Sequence, residues 1–418
     1  MMNQTTSVVM LRSGHHGGLG IARSLGRLGV PVYSVDADYW EPAFSSRYCR
    51  RRFVLHLDSD PPDQLVASLF QIGRQVGGHP VLIPTTDQGA IWVAEHAEVL
   101  REVFWFPRQD VALVRSLCDK GRMQDLARRN GVPTPKSVVP RSKEDVLHFL
   151  ETAVFPVMVK ATDTERFRRR TGGTKFLIQT RRELLDIYTK AEDGEGPNLL
   201  VQEFIPGEDW MFDGYFDKDS QCLFGVTAKK IRRFPVNTGV TSLGVCLRND
   251  TVAKTTADFM QAIGYHGILD IGYRFDTRDG QYKVLDVNPR IGCTFRLFAA
   301  VNGMDVARAL YLDMTGRPVP SASGAEGRKW IVEDFDLFSA LRSSLDGTLT
   351  LKDWVKSLRG VQEAACFALD DPLPFLLMWL ADCCELSRWM RRQMKTRYEE
   401  PSNHPEPIAP LDSVAPSD

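Results

Sequence analysis

Acids and an amide set among apolar strand residues mark the stretch Gly267–Arg290, GILDIGYRFDTRDGQYKVLDVNPR. Two apolar runs, Gly267–Phe275 and Tyr282–Val287, flank Asp276–Gly280, whose Asp/Gly chemistry predicts a β-hairpin. Asp270 lies in the first run, Asp286 in the second, and Asn288 two residues beyond. Carboxylates on facing strands repel, and burying them is costly unless a cation lies between. Carboxylates joined by substrate phosphates make the oxygen donor set of Mg²⁺. Asp286, Asn288 and Arg290 share strand parity, so one face would offer metal ligands and a guanidinium for the phosphates the metal holds. The competing reading is a plain hairpin with one edge carboxylate paired to an arginine.

Three upstream stretches carry complementary charge. Lys160 stands in the apolar strand Phe155–Ala161, where an ammonium must meet an anion or reach solvent. Thr162–Lys175, TDTERFRRRTGGTK, reads as a basic loop bearing Arg166, Arg168, Arg169, Arg170 and Lys175 around Gly172 and Gly173. Such a loop suits a flap over polyphosphate, with an exposed basic hairpin as the alternative. The strand Asn198–Phe204 leads into Ile205-Pro206-Gly207-Glu208-Asp209, an extended segment and acidic turn able to meet an adenine edge and ribose hydroxyls. A further loop, Ile231–Gly244, holds Arg232, Arg233, Asn237 and Thr238.

The elements that position these groups alternate regularly. Ser7–Leu11, a glycine-rich turn through Gly14, Gly17, Gly18 and Gly20, a helix to Leu28 and the strand Val32–Val35 ending at Asp36 form the opening β–α–β of a doubly wound sheet. The spacing is not G-x-G-x-x-G, so dinucleotide binding and a tight glycine turn both remain open. Phe53–Leu57, a helix near Asp63–Val76 and Val81–Pro84 continue the pattern, and Asp87 is read as the cap of the next helix. A boundary falls near Asp110–Ser116, followed by an amphipathic helix from Asp119 to Asn130 with Lys120 at its start. Helices are expected at Asp250–Ile263, Thr294–Ala300 and Val306–Met314, then a linker at Arg317–Gly327 and a strand at Trp330–Phe335. Helices at Leu341–Arg359 and Leu373–Met390 precede a Pro/Ser/acid-rich, disordered Pro401–Asp418.

The bulk properties restrict the function classes. At 418 residues the chain is long for a single core. A net charge of −1 provides no global field for nucleic acid, and the arginine run Arg47–Arg52 lacks interleaved aromatics. The eight cysteines form no CxxC or Cys/His cluster, which predicts a reducing, cytoplasmic setting without structural zinc. No signal peptide is expected at the N-terminus. Packing of Pro372–Met390 on its own domain or a second subunit is expected over membrane contact, so a homodimer is one candidate assembly.

In this order the motifs resemble the ATP-grasp superfamily, in its carbamoyl-phosphate-synthetase-like, D-aspartate-ligase-like carboxylate–amine ligase branch. The resemblance covers roughly residues 5–315 and rests on Lys120, Lys160 in FPVMVKA, TGGTK, VQEFIPGED and LDVNPR. It implies mixed α/β and α+β architecture. Residues 1–115 would form a Rossmann-like pre-ATP-grasp domain, 116–203 the small lobe and 204–335 the large lobe with the metal site. A helical extension would occupy 336–397 and a disordered tail 398–418. Two α+β lobes would sandwich ATP, with Mg²⁺, or Mn²⁺, as the metal. By position, Lys120 and Lys160 would hold phosphates, and Gly172, Gly173 and Thr174 the mobile phosphate loop. Gln202, Glu203, Phe204 and Ile205 would read adenine, and Glu208 or Asp209 the ribose. Asp270, Asp286 and Asn288 would bind metal; Arg290, with Arg232 and Lys160, would serve the acyl-phosphate chemistry. The first metal acid, often Glu in the family, is Asp here, and the loop has fewer glycines than the richest examples.

The implied activity is ATP-dependent joining of a small carboxylate to an amine. A dinucleotide-dependent oxidoreductase using Gly14–Gly20 and Asp36 is one alternative. A non-catalytic ATP-binding protein is another.

Overall fold

The computed structural model describes residues 6–37, 41–57, 59–162, 164–236, 239–381 and 383. Asn237, Thr238, the basic Arg391–Lys395 stretch and the expected disordered tail lie outside the described residues. The chain divides into Met1–Phe375 and Leu376–Asp418. The second unit is described only at 376–381 and 383, where 376–381 is helical.

The first 110 residues build a parallel sheet from β1 (Val8–Leu11), β2 (Val32–Asp36), β3 (Cys49–Val54) and β4 (Val81–Pro84), in the order β3-β2-β1-β4. Strand β1 is wholly buried, as a parallel strand covered on both faces should be. The glycines of the helix His16–Gly26 have a packing reason. A Cβ on Gly17 would lie 2.9 Å from the Cys293 backbone, and one on Gly20 would lie 2.8 Å from the Phe295 ring. They seat this helix against the segment that follows the 267–290 hairpin. The helix Asp87–Glu95 is capped by Thr86, whose side chain accepts from Gly89 N. Asp87, expected as the cap, is instead free to point elsewhere.

The antiparallel sheet β5-β8-β6-β7 comprises β5 (Ser137–Val138), β6 (Val157–Ala161), β7 (Lys175–Ile178) and β8 (Leu199–Glu203). Val157, Val159 and Ala161 turn into a core with Leu184, Ile187 and Val201. Alternation therefore sends Met158 and Lys160 to the opposite face. The Thr162–Lys175 stretch, expected as a loop, contains the helix Thr164–Thr171, anchored by fully buried Phe167.

Seven strands form a mixed sheet: β9 (Asp209–Phe216), β10 (Cys222–Phe234), β11 (Val240–Cys246), β12 (Gly267–Asp276), β13 (Gln281–Asn288), β14 (Lys329–Ile331) and β15 (Val361–Ala364). Their order is β13-β12-β9-β10-β11-β14-β15. Phe212, Leu269, Ile271 and Tyr273 pack against Phe259 and Met260 of the helix Asp250–Ala262. Leu117, Met123 and Ala127 join the same core, so the helix carrying Lys120 rests on this sheet rather than on the smaller one. The other face of β9 and β12 carries Met211, Asp213, Asp270 and Gly272, paired across the strands as Met211–Gly272 and Asp213–Asp270.

The extension expected to be helical from residue 336 also contributes a strand. Helices Glu333–Leu345 and Leu351–Ser357 connect β14 to β15, which pair in parallel. The chain then returns to the first domain, where Arg23 bonds Asp371 at 2.9 Å with both side chains buried.

Candidate active site

Between the four-stranded antiparallel sheet and the seven-stranded sheet lies a cleft whose lining is unusually cationic: Lys120, Lys160, Lys175, Lys230, Arg233 and Arg274. Asp286 faces them from β13. Burial lowers the Lys160 ammonium to a pKa of about 7, even with Asp286 opposing the shift. Burial also lowers Lys230, with Asp270 and Asp286 acting the other way. Burial disfavours ionised Asp286, yet Lys120, Lys175 and Lys160 hold its carboxyl below the ordinary range. So many cations around so few carboxylates suit a ligand with several negative charges.

The hairpin forms as the sequence predicts, with strands β12 and β13 bounded by the Asp276–Gly280 turn. Asp276 is buried beneath that turn and accepts from Arg278 and from Lys283 at 2.6 Å. In the register Asp270 lies opposite Asn288, and Gly272 opposite Asp286. A side chain at Gly272 would meet nothing within 4 Å, so the glycine leaves open space before Asp286. Asn288 Nδ2 donates to the Asp270 carbonyl at 3.3 Å and to its Oδ2 at 3.4 Å. Asp270, Asp286 and Asn288 thus present hard oxygens on one face, a donor set that fits Mg²⁺ or Mn²⁺ completed by phosphate oxygens. Among the described residues no group of three His, Cys, Asp or Glu side chains could hold a metal by itself.

Arg290 joins this face to the first domain. Its Nε donates to Asp87 at 2.8 Å, and its Nη2 to Asn288 Oδ1 at 3.2 Å. Asp270 Oδ2 lies 3.9 Å away. Burial opposes the charge, but Asp87 and Asp270 keep the guanidinium protonated more firmly than usual.

The segment joining the lobes lines the other end of the cleft with Gln202, Glu203, Phe204 and Ile205. Arg274 secures it. Its guanidinium bonds Asp209 Oδ1 at 2.6 and 2.8 Å, donates to the Ile205 carbonyl at 3.2 Å and lies over the Phe204 ring. Asp209 is also paired to Arg233, so both its oxygens already meet guanidinium groups. Glu208 is exposed and pairs with Lys229 at 2.5 Å. Lys120 donates to the Ala161 carbonyl at 3.1 Å, which ties the start of its helix to the end of β6. Gly172, Gly173 and Thr174 stand outside the cleft lining, with Gly172 at φ +78°.

Arg232 is not brought to the cleft. Strand alternation from Lys230 would place it there, but the β10–β11 register shifts between Lys230 and Arg232 and again between Arg232 and Arg233. The bulge turns Arg232 to the extension, where it bonds Asp336 twice at 2.8 Å and Ser357 at 2.7 Å. Arg233 takes the cleft position. Lys230 and Arg233 were therefore not assigned from sequence, since in AKKIRRF alternation alone cannot say which basic residue faces inward, and Arg274 of β12 was not assigned either. Asp213 was missed as well. It is wholly buried beside Asp270, and neither carboxylate oxygen has a hydrogen-bond partner. Burial and the charges of Asp270 and Asp305 push its carboxyl well above the ordinary range.

The glycine-rich turn borders a cavity lined by Gly14, His15 and Asp36, but the N-terminus of its helix is already taken. His15 Nδ1 accepts from Gly17 N and so occupies the start of the helix that a pyrophosphate would need.

No family model matches the chain. A D-aspartate ligase of Enterococcus faecium is 28% identical over 306 residues, 69% of this chain and 72% of that protein. A carbamoyl phosphate synthase large chain of Methanobrevibacter smithii is 23% identical over 242 residues, 56% of this chain but only 22% of that protein. Two solved structures share the fold. The L-amino acid ligase of Bacillus licheniformis superposes with a TM-score of 0.56 at 16% identity, over 74% of this chain and 73% of that one. The ADP complex of N5-carboxyaminoimidazole synthetase from Staphylococcus aureus gives 0.61 at 15% identity, over 82% and 86%. Cleft, hairpin and likenesses agree: the chain has the fold of these ligases and synthetases, and its sequence is similar to a D-aspartate ligase and to carbamoyl phosphate synthase.

Proposed function

We propose that the protein is an ATP- and Mg²⁺-dependent ligase that joins a small carboxylate to an amine through an acyl phosphate, releasing ADP and phosphate. The observation that carries this reading is the cleft itself, where four lysines and two arginines surround the Asp286 edge of the hairpin. A triphosphate neutralises that charge, and the Gln202–Ile205 segment at the other end is placed to receive the base.

Each side chain has a definite task. Lys120, Lys160 and Lys175 neutralise phosphate oxygens and hold the γ-phosphate in line with the attacking carboxylate. Asp270, Asp286 and Asn288 would hold the Mg²⁺, which would supply positive charge to offset that of the phosphates. The carboxylate oxygen forms a bond to γ-phosphorus as the bond to the ADP oxygen breaks. The amine nitrogen then adds to the acyl carbon, and phosphate leaves as the amide forms. Arg290, held by Asp87 and Asn288, supplies the positive charge for both the phosphoryl transfer and the oxyanion. Gly172, Gly173 and Thr174 would close over the phosphates and exclude water from the acyl phosphate.

The reading includes a cytoplasmic setting, supported by free cysteines throughout the described residues. Among them, no helix is long and apolar enough to cross a membrane. It also includes a homodimer, supported by exposed Leu341, Leu345 and Leu351 on the extension and testable by sedimentation.

The decisive test is ADP release over a panel of carboxylate and amine pairs with Mg²⁺ present. Release that requires both substrates together supports the ligase. Tight Mg²⁺–ATP binding without turnover across the panel would leave a non-catalytic nucleotide-binding protein.

A further inference from the structure

The first domain holds a cavity of about 190 Å³ that the phosphate chemistry leaves unused. Arg12, His15, Asp36, Leu55, Leu57 and Thr86 are in its lining. Arg12 follows β1, Asp36 ends β2, the leucines follow β3 and Thr86 follows β4. The cavity therefore sits outside the carboxyl ends of all four parallel strands, where open α/β sheets bind ligands. Arg12 has φ +61°, a left-handed backbone that a non-glycine residue keeps only where its surroundings hold it. Here they do: its N–H donates to the Val35 carbonyl at 2.8 Å, and its carbonyl accepts from the Thr85 hydroxyl. A Cβ on Gly14 would stand 2.8 Å from Glu41 Oε1 and 3.4 Å from Asp36 Oδ2, so the missing side chain lets two carboxylates converge beside Arg12.

The same wall leads to Arg290. His15 Nδ1 accepts from Gly17 N, so its Nε2 carries the proton and donates to the Thr85 carbonyl at 3.2 Å. Burial lowers the pKa of this imidazole, and the charge of Arg290 adds to the shift. Thr86 caps the helix that follows, and Asp87 accepts from Arg290 at 2.8 Å. One short loop, Thr85–Asp87, thus touches the cavity on one side and Arg290 on the other. Leu55 and Leu57 follow the edge strand β3, on the side away from that loop.

We propose that this cavity binds the head of a free α-amino acid, its ammonium at Asp36 and Glu41 and its carboxylate at Arg12. This rests on the ligase reading and names the part of the protein that selects one of the two substrates. The lining charges decide the class. A phosphate group would face two carboxylates and a simple amine would face the guanidinium, whereas a zwitterion offers each its opposite. The volume, below the roughly 300–1,000 Å³ of sites for drug-sized ligands, suits such a head and not a dinucleotide. With both head charges engaged, the reacting group is on the side chain, which leaves the cavity past Thr86 toward Arg290. Leu55 and Leu57 close the opposite end.

The test is calorimetry on the full-length protein with free amino acids of both hands. For each one that binds, two matched probes follow: the acid lacking its α-amino group and the amine lacking its α-carboxylate. Wild type prefers the amino acid to either probe by about tenfold or more, the effect of one charge-assisted hydrogen bond. Asp36→Asn, which keeps the Oδ1 acceptor of the Ala37 N–H, removes the preference over the desamino acid and retains that over the amine. Arg12→Gln does the reverse. In ADP release both variants raise the KM of that amino acid about tenfold or more and leave kcat within about twofold. Binding of no amino acid in the panel would overturn the assignment. So would equal losses for all three probes with a lowered melting temperature, which would make Arg12 and Asp36 structural residues. Head-dependent binding without ADP release from any substrate pair would overturn the ligase reading and leave the cavity assignment standing. ADP release from substrates without an amino-acid head, unchanged in both variants, would do the opposite.

Discussion

Nucleotide binding should draw protons from solution, and the amount follows from Lys160. The residue is 9% exposed, and burial has lowered its pKa to about 7. At about pH 8 such a group holds its proton roughly a tenth of the time. Phosphate oxygens placed beside it favour the charged form and return the pKa toward that of an ordinary lysine, so binding one nucleotide should take up about 0.8–0.9 proton at this site. The sign is fixed. Because the complex binds more protons than the free protein, affinity falls as pH rises between about 7 and 10, approaching tenfold per unit. Folding obeys the same arithmetic. Lys160 is depressed in the folded state, so across the same window the unfolded chain holds more protons and the ligand-free protein gains stability with rising pH. The measurement is calorimetry of ADP binding in buffers of different ionisation enthalpy, comparing wild type with Lys160→Met so that protons on the nucleotide cancel. Uptake below about 0.2 proton, or uptake unchanged by Lys160→Met, would refute the reasoning.

Three further outcomes follow from the geometry. Asp286→Asn should abolish ADP release while metal-free ADP binds at least as tightly, since one carboxylate no longer offsets the lysines; retained turnover would remove Asp286 from the metal set. Asp336→Ala strips Arg232, Ser242 and Trp354 of a shared buried acceptor, which should cost about 3–5 kcal/mol in chemical denaturation. The same change should raise the KM for ATP, because Arg232 anchors the strand end that carries Arg233. Gly20→Ala drives a methyl to 2.8 Å from the Phe295 ring, and the overpacking should cost about 1–3 kcal/mol, read as a lower melting temperature.

The hairpin was legible because its signals are local. Turn chemistry, alternation and two acids within one stretch define both a structure and a need for a cation, and the strands Gly267–Asp276 and Gln281–Asn288 appear within a residue or so of their expected limits. The lysine in FPVMVKA was legible for the same reason, since alternation alone turns Lys160 away from Val157 and Val159. What failed to show depended on distant partners. Nothing near Arg232 encodes the two register shifts that exchange it for Arg233, because a bulge is decided by how two strands pair. Asp87 looked like a cap until Arg290, far along the chain, claimed it.

Asp213 was hidden for a different reason. In DWMFDGYF an acid before glycine reads as an ordinary break in an apolar strand. Its significance comes only from the register that sets it against Asp270 and from the donors that Arg290 directs elsewhere. Burial and the neighbouring Asp270 push its carboxyl well above the ordinary range, so the strand carries it more readily as a neutral acid than as a carboxylate.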